Sequence, residues 1–259
     1  VQGLTQLERL YCNYNQLKSL DLTDLTQLRR LECSNNQLTN LNVQGLTKLW
    51  YLQCGNNQLT DLNLTGLTKL KNFYCYNNQF TDLNLQALTQ LEYLSCHDNQ
   101  LINLNVQGLT KLTTLIGYNN QLTNLNLQGL SALERLDCYN NQISSLDLTG
   151  LTQMKILACR DNQLTSLDLT GLTQLKYLLC YGNPCTSTTL GLDEIYCQLP
   201  ERDVADSAII YVSGQARTSV EPFVLATTGA NANAKNWEVR GFSTGYYKIT
   251  NTTGNYVCY

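Results

Sequence analysis

One histidine, His97, has to supply any imidazole chemistry this chain could perform. Hydrolysis by a side-chain nucleophile needs a base beside that nucleophile and a third group to orient the base. Asp98 follows His97, but it continues a column of Asn and Asp that recurs at turns, so a catalytic dyad is not expected. The eleven cysteines come next. Zinc sites favour close pairs such as C-x-x-C, and the sequence has none. It also lacks a glycine-rich phosphate loop, an H-E-x-x-H helix and an EF-hand loop. No catalytic residue, metal site or cofactor is therefore expected. Sixteen tyrosines remain, and their chemistry is recognition: large area and a polar handle at low entropic cost.

A repeat of 21 residues has to position these side chains. Asn recurs without a break at Asn15, Asn36, Asn57, Asn78, Asn99, Asn120, Asn141, Asn162 and Asn183. Three residues before it stands a cysteine (Cys12, Cys33, Cys54, Cys75, Cys96, Cys138, Cys159, Cys180), with Gly117 the one departure. Two residues earlier comes an apolar residue, from Leu10 and Leu31 through Phe73 to Leu178. L-x-x-L-x-L-x-x-N-x-L at a period of roughly 20–29 residues is the leucine-rich-repeat signature. The expected fold is a leucine-rich-repeat solenoid, a β-rich horseshoe of 21-residue coils with a parallel concave sheet and a small α+β C-terminal cap. Coils this short leave no room for a full convex helix, so short extended or 3₁₀ pieces are expected there. Eight cysteines take the place of an inward Leu. On parallel strands ~4.8 Å apart they hang side by side, which suits packing better than disulfide geometry. Each Asn, turned inward, can satisfy backbone groups at the bend.

The pattern decays after Asn183, where Pro184, Cys185, Thr188 and Asp193 replace repeat residues. Residues 1–183 are therefore expected to form nine coils without an N-terminal cap, and 184–259 a capping region. In the tail, Thr188 or Thr189 caps a helix that runs through Glu194 to Leu199 and stops at Pro200. Strand-like runs follow at Ala208–Val212, Pro222–Ala226, Trp237–Phe242 and Tyr246–Thr250. Cys185, Cys197 and Cys258 lie outside the ladder. Any disulfide is expected to use only these three, and Cys185–Cys197 is the leading pair, because it would pin the cap helix against the last coil. Val1–Thr5 aligns with Leu22–Thr26, so the chain opens within a coil, and a targeting or anchoring segment is expected to lie outside it. A net charge of −3 gives no footprint for nucleic acid or an anionic membrane. No apolar run approaches the ~18 residues of a membrane helix, so neither a nucleic-acid partner nor membrane insertion is expected.

The x positions of each strand face solvent on the concave side, and ten of the sixteen tyrosines fall there. The column two residues before the ladder Asn reads Tyr76, His97, Tyr118, Tyr139, Arg160 and Tyr181 in consecutive coils. At ~4.8 Å per strand it spans roughly 24 Å, enough for a protein surface or several sugar rings. Trp50, Tyr51, Tyr74 and Tyr93 flank it, and Arg135 and Tyr177 complete the candidate ligand-binding set. A competing reading is that stacked aromatics only stabilise the sheet. Charges at these positions nearly cancel, with Arg9, Arg29, Arg30, Lys71, Arg135, Lys155, Arg160 and Lys176 against Glu8, Glu32, Glu92, Asp98, Glu134, Asp137 and Asp161. A polyanion is thus not the natural partner.

Repeats such as Leu151–Leu169 resemble the leucine-rich-repeat proteins of Bacteroidetes surfaces and, more distantly, the internalins. Ile195-Tyr196-Cys197-Gln198-Leu199-Pro200 and Ala234-Lys235-Asn236-Trp237-Glu238-Val239 are similar to the C-terminal region of those Bacteroidetes proteins. The resemblance implies an exported protein, extracellular or on the outer cell surface, that binds a host or bacterial protein through its concave sheet in adhesion or recognition. A glycan-binding surface protein that uses the aromatic stripe is the alternative. Asp206-Ser207-Ala208 resembles a short O-glycosylation motif of such bacteria; the N-glycosylation patterns at Asn63 and Asn251 read as incidental.

Overall fold

The computed structural model describes residues 3–186, 189–203, 205, 208–213, 229–242 and 246–248. The chain divides into two compact units, Val1–Leu133 and Glu134–Tyr259.

In the first unit every coil contributes one three-residue strand: β1 (Arg9–Tyr11), β2 (Arg30–Glu32), β3 (Tyr51–Gln53), β4 (Asn72–Tyr74), β5 (Tyr93–Ser95) and β6 (Thr114–Ile116). All pair in parallel with one repeat as the register, Leu10 on Leu31, Leu31 on Leu52, Leu52 on Phe73 and so on. The central residue of each points inward, and Leu31, Leu52, Phe73 and Leu94 are fully buried. Burying such a side chain contributes about 1.5–3 kcal/mol, which is why the alternation is kept in every coil. Between the strands the chain returns through tight turns instead of a helix. Leu25 N–H donates to the Leu22 carbonyl at 3.1 Å and Leu28 N–H to that of Leu25 at 2.9 Å, a geometry repeated in later coils.

The Asn column ties each coil to the one before. Asn78 Nδ2 donates to the carbonyls of Cys54 and Cys75, both at 3.1 Å, while its Oδ1 accepts from Leu59 N–H at 3.0 Å. Asn57, Asn99 and Asn120 repeat this arrangement. One residue earlier the backbone is left-handed at Tyr14, Asn35, Asn56, Asn77, Asp98 and Asn119. Asn and Asp tolerate that region better than most residues, so Asp98 stands beside His97 for a backbone reason. The ladder cysteines are free thiols, and Cys33, Cys54, Cys75 and Cys96 are fully buried. Burial pushes the thiols of Cys54 and Cys96 up to about 12.

The second unit begins with β7 (Arg135–Asp137), β8 (Ile156–Ala158) and β9 (Tyr177–Leu179), parallel and built on the same Leu, Cys and Asn columns. After a 3₁₀ turn at Pro184–Thr186 come α1 (Thr189–Gln198), β10 (Ala208–Ser213), α2 (Gly229–Ala234), β11 (Trp237–Phe242) and β12 (Tyr246–Lys248). Strand β10 adds to the sheet in parallel, Ile210 on Leu178, then β11 in parallel and β12 antiparallel. The C-terminal part is thus the expected small α+β assembly, built onto the β9 edge. Lys235 Nζ donates to the carbonyls of Cys197 and Leu199, at 2.6 and 2.9 Å, at the end of α1, where a cation satisfies orphan carbonyls. Buried Trp237 donates its Nε1–H to the Pro200 carbonyl at 2.7 Å.

One expectation for this region is corrected. Cys185 is a free, buried thiol, whereas Cys197 is disulfide-bonded, so the Cys185–Cys197 pair is not formed. Cys185 keeps the coil register: it stands 21 residues after Leu164, and its N–H donates to the Leu164 carbonyl at 2.9 Å. It fills a core position and does not reach out to the helix. The run Pro222–Ala226, the Asn251 pattern and Cys258 lie outside the described residues.

Candidate binding surface

On the solvent face of the first unit the aromatic side chains form two contacting sets. In one, the Arg30 guanidinium lies 3.8 Å over the Tyr51 ring while pairing with Glu32 at 2.5 Å. Tyr51 and Tyr74 follow with centroids 5.3 Å apart, then Tyr74 and Tyr93 stacked at 4.8 Å. Trp50 meets Tyr51 edge-on at 5.8 Å. Burial, with the nearby Glu32 charge, raises the Tyr51 phenol; burial, with Tyr51 beside it, raises that of Tyr74. Both therefore remain neutral hydrogen-bonding groups at neutral pH.

The second set is a stack of three rings. Tyr76 and His97 lie 4.8 Å apart and within 5° of parallel, and His97 and Tyr118 lie 4.3 Å apart. The glycine at this column in the preceding coil, Gly55, makes room for it: a Cβ there would stand within 3 Å of the Tyr76 ring. His97 Nδ1 lies 2.9 Å from Ser95 Oγ, and its Nε2 lies 3.8 Å from Asp98 Oδ2. Sequence spacing did not single out this Ser–His contact. Its signal was Ser95 two residues before His97, on the same strand face. Ser95 is only 3% exposed and the Asp98 contact is too long for a hydrogen bond, so the arrangement fixes the imidazole in the stack and presents no accessible nucleophile.

In the second unit the Arg160 guanidinium lies 3.8 Å over the Tyr139 ring and 5.6 Å from that of Tyr181. Arg135 donates through Nε and Nη2 to one oxygen of the buried Asp137, at 3.1 and 2.7 Å. Tyr177 is exposed. Tyr181 departs from the expected solvent-facing position: it is 7% exposed and packs with Ile209 and Tyr211. The reason is β10, which the decayed repeat could not place and which lays its own side chains beside the last coil.

Residues 5–48 and 131–171 match the family described as leucine-rich repeats (2 copies). No curated protein matches the chain. Among solved structures, it is similar to the functional domain of InlJ from Listeria monocytogenes, described as including a cysteine ladder, at 32% identity over 93% of this chain and 49% of that one, with a TM-score of 0.75. A leucine-rich-repeat protein of Leptospira interrogans is 30% identical over 70% of this chain and 50% of its own, TM-score 0.67. The internalin InlF of Listeria monocytogenes, 21% identical over 91% of this chain and 76% of its own with a TM-score of 0.60, shares the fold. The chain spans about half the length of the first two structures, 49% and 50%.

Proposed function

We propose that this leucine-rich-repeat solenoid is the interaction module of an exported bacterial surface protein and holds a protein ligand against the aromatic face of its sheet. The observation that carries the reading is the pair of ordered aromatic sets, Arg30–Tyr51–Tyr74–Tyr93 and Tyr76–His97–Tyr118. Tyr, Trp and Arg dominate interface cores, and side chains already held by their neighbours lose less entropy on binding. Binding, not catalysis, fits a face whose one imidazole is spent on stacking. Likeness to leucine-rich-repeat proteins of Listeria monocytogenes and Leptospira interrogans supports a bacterial module. The extracellular or outer-surface location and the role in adhesion or recognition rest on the resemblance of the repeats to those of bacterial surface proteins. On this reading residues 1–183 are the recognition solenoid and 184–259 its cap, in keeping with the addition of β10 to β9.

Glycan binding along the stripe is the second reading. Sugar stacking needs a free ring face, and the rings of Tyr76 and His97 spend theirs on each other. The protein reading is therefore preferred for this face. Capture from surface-protein extracts by the parent chain, in parallel with a Tyr74→Ala, Tyr118→Ala variant, tests it. A partner retained by the parent and lost by the variant is expected; a saccharide hit on a glycan array that maps to these residues, with no protein partner, overturns it.

A further inference from the structure

Four cations surround an exposed indole at the rim of the first unit's sheet. Arg29, Lys48, Lys69 and Lys71 line one concavity of about 340 Å³ with Trp50 and Gln90. The repeat gathers them: Arg29, Trp50 and Lys71 hold the same place in three successive coils, and Lys48 and Lys69 hold the place two residues earlier. Neighbours in such a column stand one coil apart, at the ~4.8 Å spacing of the strands they precede, so the charges are brought together.

Their existing partners do not neutralise them. Arg29 Nε lies 3.4 Å from Glu8 and Lys71 Nζ 2.7 Å from Glu92. Both are exposed pairs of the kind that contributes little. Lys48 donates to the neutral Gln27 amide, and Lys69 makes no hydrogen bond or ion pair with the described residues. Two carboxylates therefore stand against four cations in a chain of net charge −3. Like charges gathered this closely repel one another. Attraction to the Trp50 ring, which Arg30 already approaches at 5.9 Å, offsets only part of that, and a bound anion would relieve the rest. Trp50, which lines the pocket, is 36% exposed. Gln90 accepts from Lys111 through Oε1, which leaves its amide NH₂ to donate.

We propose that this pocket binds an anionic saccharide: a sugar ring carrying a carboxylate or a sulfate, its apolar C–H face on the Trp50 indole and its anion held by Lys48, Lys69, Lys71 and Arg29. An acidic peptide would satisfy the cations but leave the indole unused. The site adjoins the first aromatic set, which Trp50 touches through Tyr51, but Lys48 and Lys69 lie outside the strands and their replacement leaves Tyr74, Tyr76 and Tyr118 in place. It also revises the reading of charge. The strand positions sum to near neutrality, but the rim of these coils does not.

The test is titration of the full chain with alginate oligomers, which carry carboxylates, and dextran sulfate oligomers, with neutral dextran and polyglutamate of matched length as controls. Tryptophan emission reads the site, because the chain has two tryptophans and Trp237 is only 1% exposed. At least one charged saccharide is expected to shift the emission and to bind at least tenfold tighter than either control; which one it is identifies carboxylate or sulfate as the anion. Trp50→Ala, checked for an unchanged circular dichroism spectrum, should lose tenfold or more by calorimetry, and Trp50→Phe should retain most of the affinity. Lys69→Gln with Lys71→Gln should weaken binding and flatten its salt dependence. Polyglutamate or neutral dextran binding as tightly as the charged saccharides, parent-like affinity in Trp50→Ala, or no binding of either charged saccharide would each overturn the proposal.

Discussion

Tyr76 lies against Gly55, and a Cβ added at Gly55 would stand 2.7 Å from Cζ of the tyrosine ring. The missing side chain in one coil is what lets the ring of the next lean over it and set the plane on which His97 and Tyr118 stack. Gly55→Ala should therefore move Tyr76 off its present position, at a cost of about 1–3 kcal/mol if the ring cannot relax. A crystal structure of the variant should show the ring displaced; Tyr76 still parallel to His97 would contradict this account of the stack.

Gly117 behaves oppositely. It interrupts the cysteine column, yet a Cβ there would meet only Cys96 Sγ at 3.7 Å and Leu104 Cδ2 at 3.9 Å, ordinary contacts. Gly117→Ala should stabilise the chain by about 0.4–1 kcal/mol, chiefly by restricting the unfolded state. A thermal melt that shifts downward would show that the position needs glycine after all.

Removing a ladder amide should be far more damaging. Asn78→Ala would orphan the buried Leu59 N–H, at about 1–3 kcal/mol. It would also take one bond each, at about 0.5–1.5 kcal/mol, from the Cys54 and Cys75 carbonyls, which keep Asn57 and Asn99. Denaturant unfolding should show a loss of roughly 3 kcal/mol. A loss below about 1 kcal/mol would mean that water or a neighbouring turn replaces the amide.

The thiol column should make stability fall in alkali. In the fold, burial raises Cys54, Cys96 and Cys138 from the ordinary value of 9.0 to about 12. A raised folded pKa means that the native state keeps protons the unfolded chain releases. The stabilisation is whole below pH 9 and is lost progressively as pH climbs toward 12. The melting temperature should drop more steeply above pH 9 in the parent than in a Cys54→Ala, Cys96→Ala variant, each referred to its own neutral-pH value. Parallel profiles would exclude the thiols as the cause.

The periodic part of this structure was legible because each residue is confirmed by its copies in other coils. Leu31, Cys54 and Asn78 had only one inward position to take, and Asp98 could be read as a turn residue from the Asn at the same place in neighbouring coils. Legibility failed where a contact joins the repeat to something that does not repeat. Tyr181 is buried by Ile209 and Tyr211; Ala208–Val212 reads as a strand, but no periodicity says that it joins the sheet beside β9. The expected Cys185–Cys197 pair fails because Pro184 and Thr188 signal the end of the pattern while the coil register still governs the residue between them. The cationic rim was hidden for another reason: Lys48 and Lys69 precede the strand, and summing charge over strand positions passes them by.

Once a protein partner is in hand, its affinity for a chain carrying Tyr74→Ala and Tyr118→Ala, one residue from each aromatic set, tests the central claim most directly. If both are interface anchors, each truncation should cost on the order of 2 kcal/mol, roughly a thousandfold together when additive. The control Asp61→Lys, at an exposed site outside the strands, should bind as the parent does. Parent-like affinity in the double variant, with binding abolished by Asp61→Lys, would contradict the assignment of the aromatic face as the ligand-binding surface.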